Sequence, residues 1–399
     1  MSQKKILFLG GAYPQIPIIK EAKNRGWYTI TCDYLPNNPG HKLADEYHNI
    51  STTDFEGILN LAKKIKPDFV VAYASDPAAP TAAYVSEKLG LPGNSFQSVQ
   101  VLAEKDLFRS FLLIHGFNSP KSVSIKREEN IFEKTSSLQF PIIIKPTDSS
   151  GSKGVSKVTT KSEIKPAVEY ALTFSRNKRI IAEEFVESIG AQLHGDGFVF
   201  EGELIFSYLG DHHYNNKINP FVPFSTSWPS QQNEDTIHKI EFVLKKAIKL
   251  LGYQNGPINI EVRITNKREI FIMEIGPRSG GNFVPQVIKY ATGFDMVSAS
   301  LDVVYGKPVK QIFEKKGHVA YYVIHTDFSG ILIELSLKDQ IKPFIKEFHQ
   351  YIMPGQLVNS FQGANAAIGV ILLAFNCHAE MELIISKMDD FINLKIQKL

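Results

Sequence analysis

Four consecutive apolar residues, Ile6, Leu7, Phe8 and Leu9, end at Gly10-Gly11, the pattern of a short strand covered on both faces. Pro14 then suits the first turn of a helix. Residues 28–32 read as a second strand. Asp54 is placed to cap a helix carrying Ile58, Leu61, Ala62 and Ile65, and residues 69–72 form another short strand. Strand and helix alternating in this way predict an α/β chain that opens with a doubly wound parallel sheet.

Farther along, the rhythm changes. Residues 95–116 read as helical, and Pro120 marks a boundary. An apolar strand ends at Lys145, a Gly/Ser-rich loop follows, then a helix over 162–174 and a strand over 179–184. Antiparallel strands are expected on either side of the turn Glu201-Gly202. Ile237, Ile240, Val243, Leu244, Ala247, Ile248 and Leu251 share one helical face, with Gly252 as its stop. Strands over 258–264 and 270–275 come next, and the last ~90 residues read as a small α/β unit.

Composition narrows the classes. With 43% hydrophobic and 21% charged residues, the chain is globular rather than disordered, and 399 residues call for more than one core. A net charge of +3, from 44 basic and 41 acidic side chains, gives no basic surface for nucleic acid, so phosphate binding must be local. Two cysteines, Cys32 and Cys377, suggest a reducing compartment, and a cytoplasmic location is expected. The first residues, from Met1, imitate a signal peptide, but the apolar run is too short and is read as a strand. No apolar stretch approaches the ~20 residues of a membrane span.

Candidate chemistry lies in the middle of the chain. Lys145 closes an apolar strand, and Ser149, Ser150, Gly151, Ser152, Lys153 and Gly154 follow; glycine lets backbone N–H groups approach phosphate, although the Walker spacing is missing. In the segment Glu183, Glu184, Phe185, Val186, Glu187 an apolar strand runs into acidic residues, suited to an adenine edge and ribose hydroxyls or simply to a strand leaving the core. Glu261 and Glu274 sit on two strands that would pair as a hairpin. A four-residue loop sets them directly opposite, a two-residue loop diagonally on one face, and a three-residue loop on opposite faces. Side by side they would suit magnesium bridged to phosphate. Arg278 follows in Gly276-Pro277-Arg278-Ser279-Gly280-Gly281-Asn282, where a guanidinium can steady a transferring phosphoryl group. For substrate, Asp76, at the end of a parallel strand, Ser279, Gly280, Gly281 and Asn282 are candidates, with His212 or His213 as a general base; residues 211–214 and 224–228 also suit a solvated polar loop.

The ordered set, Lys105, Lys145, the Gly-rich loop, Glu183 to Val186, Glu261 and Glu274-Ile275-Gly276-Pro277-Arg278, resembles the ATP-grasp superfamily, in its carboxylate–amine ligase type, similar to L-amino acid ligases, glycinamide ribonucleotide synthetase and biotin carboxylase. The resemblance implies an α/β chain with the ATP-grasp fold: a preceding domain over 1–97, an ATP-grasp domain over 98–308 with a lid over about 120–185 and a central antiparallel sheet, and a C-terminal domain over 309–399. It implies ATP and magnesium (manganese as an alternative), with Lys105, Lys145 and the 149–154 loop on the phosphates and Glu183, Phe185 and Val186 at the adenine. Glu187 is the ribose candidate, because Gln192 and His194 stand where many members have another glutamate; His194 joins the nucleotide set. Lys217, in Asn215-Asn216-Lys217, resembles a γ-phosphate lysine. Glu261 and Glu274 resemble metal carboxylates, and Arg278 the arginine of the acyl phosphate.

The implied activity is ADP-forming: a carboxylate is phosphorylated to an acyl phosphate and transferred to a nucleophile, an amine first. Small-molecule acid and amine are the expected partners, without nucleic acid or membrane; a homodimer through the C-terminal segment is a further expectation. Bicarbonate-dependent carboxylase or carbamoyl-phosphate-type chemistry is the alternative within enzymes. Gly276, where many members carry asparagine, raises a second alternative, a nucleotide-binding sensor without turnover. A dehydrogenase reading of Gly10-Gly11 and Asp33 lacks the Gly-x-Gly-x-x-Gly spacing.

Overall fold

The computed structural model describes residues 3–215, 217–310, 312–314 and 317–399; Met1 and Asn216, mentioned above, fall outside them. Four parallel strands form the first sheet in the order Glu46–His48, Tyr28–Cys32, Lys5–Leu9, Phe69–Val71. Its inner strands are buried on both faces, as their unbroken apolar runs require. Asp54 caps the helix Phe55–Ile65 by accepting a hydrogen bond from the Gly57 backbone N–H. The 46–48 strand is polar enough to escape a hydrophobic pattern.

The helical stretch after Ser95 breaks at Glu104 into Phe96–Ala103 and Lys105–Ile114. A four-stranded antiparallel sheet follows, in the order Ser122–Lys126, Arg179–Glu184, Ile142–Pro146, Ser156–Val158. The helix Ile164–Phe174 covers it over a core of Ile142, Ile144, Val158, Ala167, Ala171 and Ile180.

The largest element is an eight-stranded antiparallel sheet: Ile270–Gly276, Gly256–Ile264, Leu193–Phe200, Glu203–Asn215, Asn219–Trp228, His318–Ile324, Gly369–Phe375, Ile345–Gln350. The helix Glu234–Leu251, capped by Asn233 and stopped by Gly252 in the left-handed region, packs its apolar face on one side. Residues 219–228 are a strand rather than a polar loop, and 211–215 continue the strand before it. Three strands of the C-terminal segment extend this sheet, while Gly330–Leu337, Leu357–Val358 and Ile392–Lys398 form a separate three-stranded sheet. Among the described residues no helix is long and apolar enough to cross a membrane.

Candidate active site

The lid sheet, the central sheet and the end of the parallel sheet enclose one cleft, with about 360 Å³ of internal space. Two opposing walls are charged differently. On the lid wall, Lys145 leaves the strand Ile142–Pro146 and pairs with the Glu183 carboxylate on the adjacent strand. Arg109 approaches that carboxylate from the other side, its Nε donating to Oε2 at 3.0 Å. Glu183 is 2% exposed and Arg109 3%. Burial favours the neutral acid, but Arg109 and Lys145 together hold the Glu183 carboxyl down at about 2. Burial also lowers Lys145, and Glu183 opposes that shift.

The central-sheet wall carries Glu261 and Glu274 in direct register. The hairpin gets there by an unexpected route. Ile264 pairs with Ile270, which leaves a five-residue loop; alone this would set Met273 opposite Glu261. A bulge at Met273 adds one residue to that strand and brings Glu274 round. Two carboxylates thus share one face, and burial, then the Glu274 charge, push Glu261 up. Gln192 Nε2 donates to Glu261 Oε2 at 2.7 Å, and Lys105 lies 3.8 Å from Glu274. Among the described residues no group of three or more His, Cys, Asp or Glu side chains could hold a metal ion. Two carboxylates fit a hard cation that completes its shell with phosphate and water oxygens.

The Gly-rich loop closes over the space between the walls. Lys105 Nζ donates to the Ser149 carbonyl and Ser152 Oγ to the Phe221 carbonyl, each at 2.6 Å. At the cleft floor Arg278 and Asp76 form a bidentate pair, Nε to Oδ1 at 2.6 Å and Nη2 to Oδ2 at 2.5 Å. Burial opposes ionisation of Asp76, and Arg278 outweighs it, holding the carboxyl below its usual range. Gly276 makes this pair possible: a Cβ there would stand 2.8 Å from Asp76 Oδ1.

Asp76, Lys105, Lys145, Ser149, Ser150, Gly151, Ser152, Lys153, Glu183, Val186, His194, Glu261, Glu274, Arg278, Gly281 and Asn282 all line the cleft. Other candidates lie elsewhere. Lys217 faces a separate groove with Tyr322, His325 and Asp389, and Phe185 and Glu187 line a groove with Ser119, Pro120 and Phe271. His213 alternates to the far side of its strand from His212 and bonds Ser227. Ser279 is fully buried, and the Gly280 N–H donates to Asp196. Gly154 turns towards Pro146 and Phe174 inside the lid. Glu183 meets its neighbours' backbones on both sides of its strand, so its contribution here is the side chain.

Several side chains emerge only from the fold. Arg263 donates to Gln192 Oε1 at 2.6 Å and to the Val186 carbonyl at 2.8 Å, which links Val186 through Gln192 to Glu261. Asp196, fully buried and pushed up to about 7 by that burial, anchors the 280 loop and Asn259. His194 and His212 stack with ring centroids 4.2 Å apart. Burial, and Arg278 beside it, bring His194 down to about 3; burial takes His212 well below its normal value. Neutral at ordinary pH, His212 is a weak general base. The signals for Arg109 and Asp196 were charges in apolar surroundings: Arg109 on the buried face of its helix, Asp196 inside a strand.

Residues 138–286 match the family model of the ATP-grasp domain. Over 299 residues the chain is 28% identical to a formate-dependent phosphoribosylglycinamide formyltransferase of Prochlorococcus marinus, covering 69% of this chain and 70% of that one. It is 25% identical to a carbamoyl phosphate synthase large chain of Caldanaerobacter subterraneus over 80% of its own length, which spans 30% of that relative. An L-amino acid ligase structure from Bacillus licheniformis superposes with a TM-score of 0.83 at 20% identity, with both chains covered completely. The closed loop, the paired lysines and the opposed carboxylates in one cleft agree with these matches: residues 138–286 are similar to the ATP-grasp domain, and the chain shares the fold of the solved ligase.

Proposed function

We propose that the protein is an ATP-dependent, ADP-forming ligase that phosphorylates a small-molecule carboxylate and passes the acyl group to a nucleophile, an amine first. The observation that carries the reading is the cleft itself. Lys145, and Lys105 at 3.8 Å from Glu274, line one cleft with the Glu261–Glu274 pair under the 149–154 loop. A triphosphate needs both halves, cations for its oxygens and carboxylates for its accompanying metal. Glu261 and Glu274 would hold magnesium, which supplies charge neutralisation along the phosphates. Lys145 and Lys105 orient the phosphate chain. Arg278, fixed by Asp76, meets the charge on the acyl phosphate. The 149–154 loop keeps water from that intermediate. The hinge at Val186 and the groove of Glu187 are the proposed nucleotide-base end.

The test is ATP turnover with magnesium against a panel of carboxylic acids, bicarbonate included, each with a panel of amines. The substrate acid is then labelled with oxygen-18 in its carboxylate. Transfer of one label into the released phosphate, with ADP formed in equal amount, is the expected outcome. AMP formation, or phosphate released without label, overturns the acyl-phosphate reading.

A further inference from the structure

Arg109 has no place in the reading above, and its surroundings are unusual. It lies one helical turn after Lys105 in the helix Lys105–Ile114, and it is 3% exposed. Among the described residues only its Nε is hydrogen-bonded, to Glu183, and the buried Nη1 and Nη2 have no hydrogen-bond partner. Leaving two donors unmet in the interior is costly, and a lysine–glutamate pair alone would be better served by an apolar residue at this position. The fold nonetheless places two cations on one carboxylate.

We propose that Arg109 is a positioning residue for Lys145: by sharing the Glu183 carboxylate it leaves the cluster with net positive charge directed at the phosphate chain. This rests on the nucleotide reading of the cleft. Without Arg109, Lys145 and Glu183 would form a closed neutral pair, and a phosphate would have to compete with the carboxylate for Nζ. With Arg109, Glu183 is satisfied from both sides. It still fixes the lysine's direction through Oε1, while the pull of the carboxylate on Nζ is divided. The depression of the Glu183 carboxyl, which Arg109 and Lys145 bring about together against the effect of burial, agrees with this arrangement.

A charge-balance experiment separates this role from simple support. Binding of the non-hydrolysable analogue AMP-PNP with magnesium is measured by calorimetry, with adenosine as the phosphate-free control. The proteins are the wild type, Arg109→Lys, Arg109→Met and the double variant Arg109→Met/Glu183→Gln. Arg109→Met is expected to weaken AMP-PNP at least about tenfold, the scale of one charge-assisted hydrogen bond, with adenosine unchanged. Arg109→Lys keeps most of the affinity. The double variant, in which Lys145 again carries an unshared charge, recovers to within about threefold of the wild type, less than ~1 kcal/mol. A double variant no better than Arg109→Met, or a parallel loss for adenosine, overturns the proposal. If Arg109→Met fails to fold, the double variant and Arg109→Lys still decide it against the wild type. Wild-type protein that binds no AMP-PNP overturns the nucleotide reading and this inference with it.

Discussion

The two walls of the cleft use charge in opposite ways. On the lid wall opposite charges are set together, Glu183 between Arg109 and Lys145, and the carboxyl is held far down. On the central-sheet wall two carboxylates are set in register, and Glu261 is pushed up by burial and by its neighbour. The first arrangement contributes to folding; the second works against it until a cation arrives. Like charges brought together by a strand bulge are therefore the better pointer to chemistry, and the mixed-charge cluster is the better pointer to geometry.

The same substitution on each wall should break this contrast most strongly. Glu261→Gln is expected to lower ATP turnover by about 10²–10³, as loss of a group acting on transferring charge does. In metal-free buffer at pH 8 it should leave the protein more stable, by about 1 kcal/mol. The sign follows from linkage. A carboxyl raised in the folded state favours folding at low pH, and that contribution is lost as pH rises through its folded value. Glu183→Gln should do the reverse, destabilising by about 3–5 kcal/mol because Arg109 and Lys145 lose their common partner. Thermal melts in EDTA compare them directly. Shifts of the same sign in both variants would remove the distinction between the walls.

A smaller effect is expected where the walls meet the parallel sheet. Gly276 leaves room for the Asp76–Arg278 pair, so Gly276→Asn forces the Asp76 carboxylate away. Overpacking of this kind costs about 1–3 kcal/mol. Turnover should fall as Arg278 loses its orientation. The decisive measurement is the cycle with Asp76→Ala. In that background Gly276→Asn should cost at least about 1 kcal/mol less, because the group it strikes is gone. Additive effects would show that glycine at 276 has another reason.

Much of this was legible in the sequence where a single period governed. The buried runs of the parallel strands, the helix between Asn233 and Gly252, and the two carboxylate strands all follow simple spacing. The register of the carboxylates was not legible, because an odd loop and a bulge cancel and neither has a firm residue signature. Strand Asn219–Trp228 was hidden by its polar residues, among which Ser225 and Thr226 bond within the sheet. Without that strand, His212 and His213 looked equivalent; alternation separates them. Arg109 lies on the buried face of an amphipathic helix, and helical periodicity does not by itself say which carboxylate such a charge meets.

The smallest expected effect concerns the stacked histidines, which belong to neither wall's charge scheme. His194 and His212 are buried neutral, with values below that of a free imidazole. A histidine lowered in the fold contributes stability that is full above about 6.5 and is lost as pH falls, at up to about 1.4 kcal/mol per pH unit for each site. Glu261 and Asp196, both raised, titrate in the opposite sense across the same range, so the wild-type curve is a balance of the two. The difference between wild type and His212→Asn isolates the imidazole. Urea unfolding at intervals from pH 7.5 to 5 should show the wild type's advantage shrinking steadily as the solution is acidified. An advantage that stays constant over that range would mean that His212 is held by its hydrogen bond to Thr226, 2.7 Å long, in either protonation state, and that burial does not set its charge.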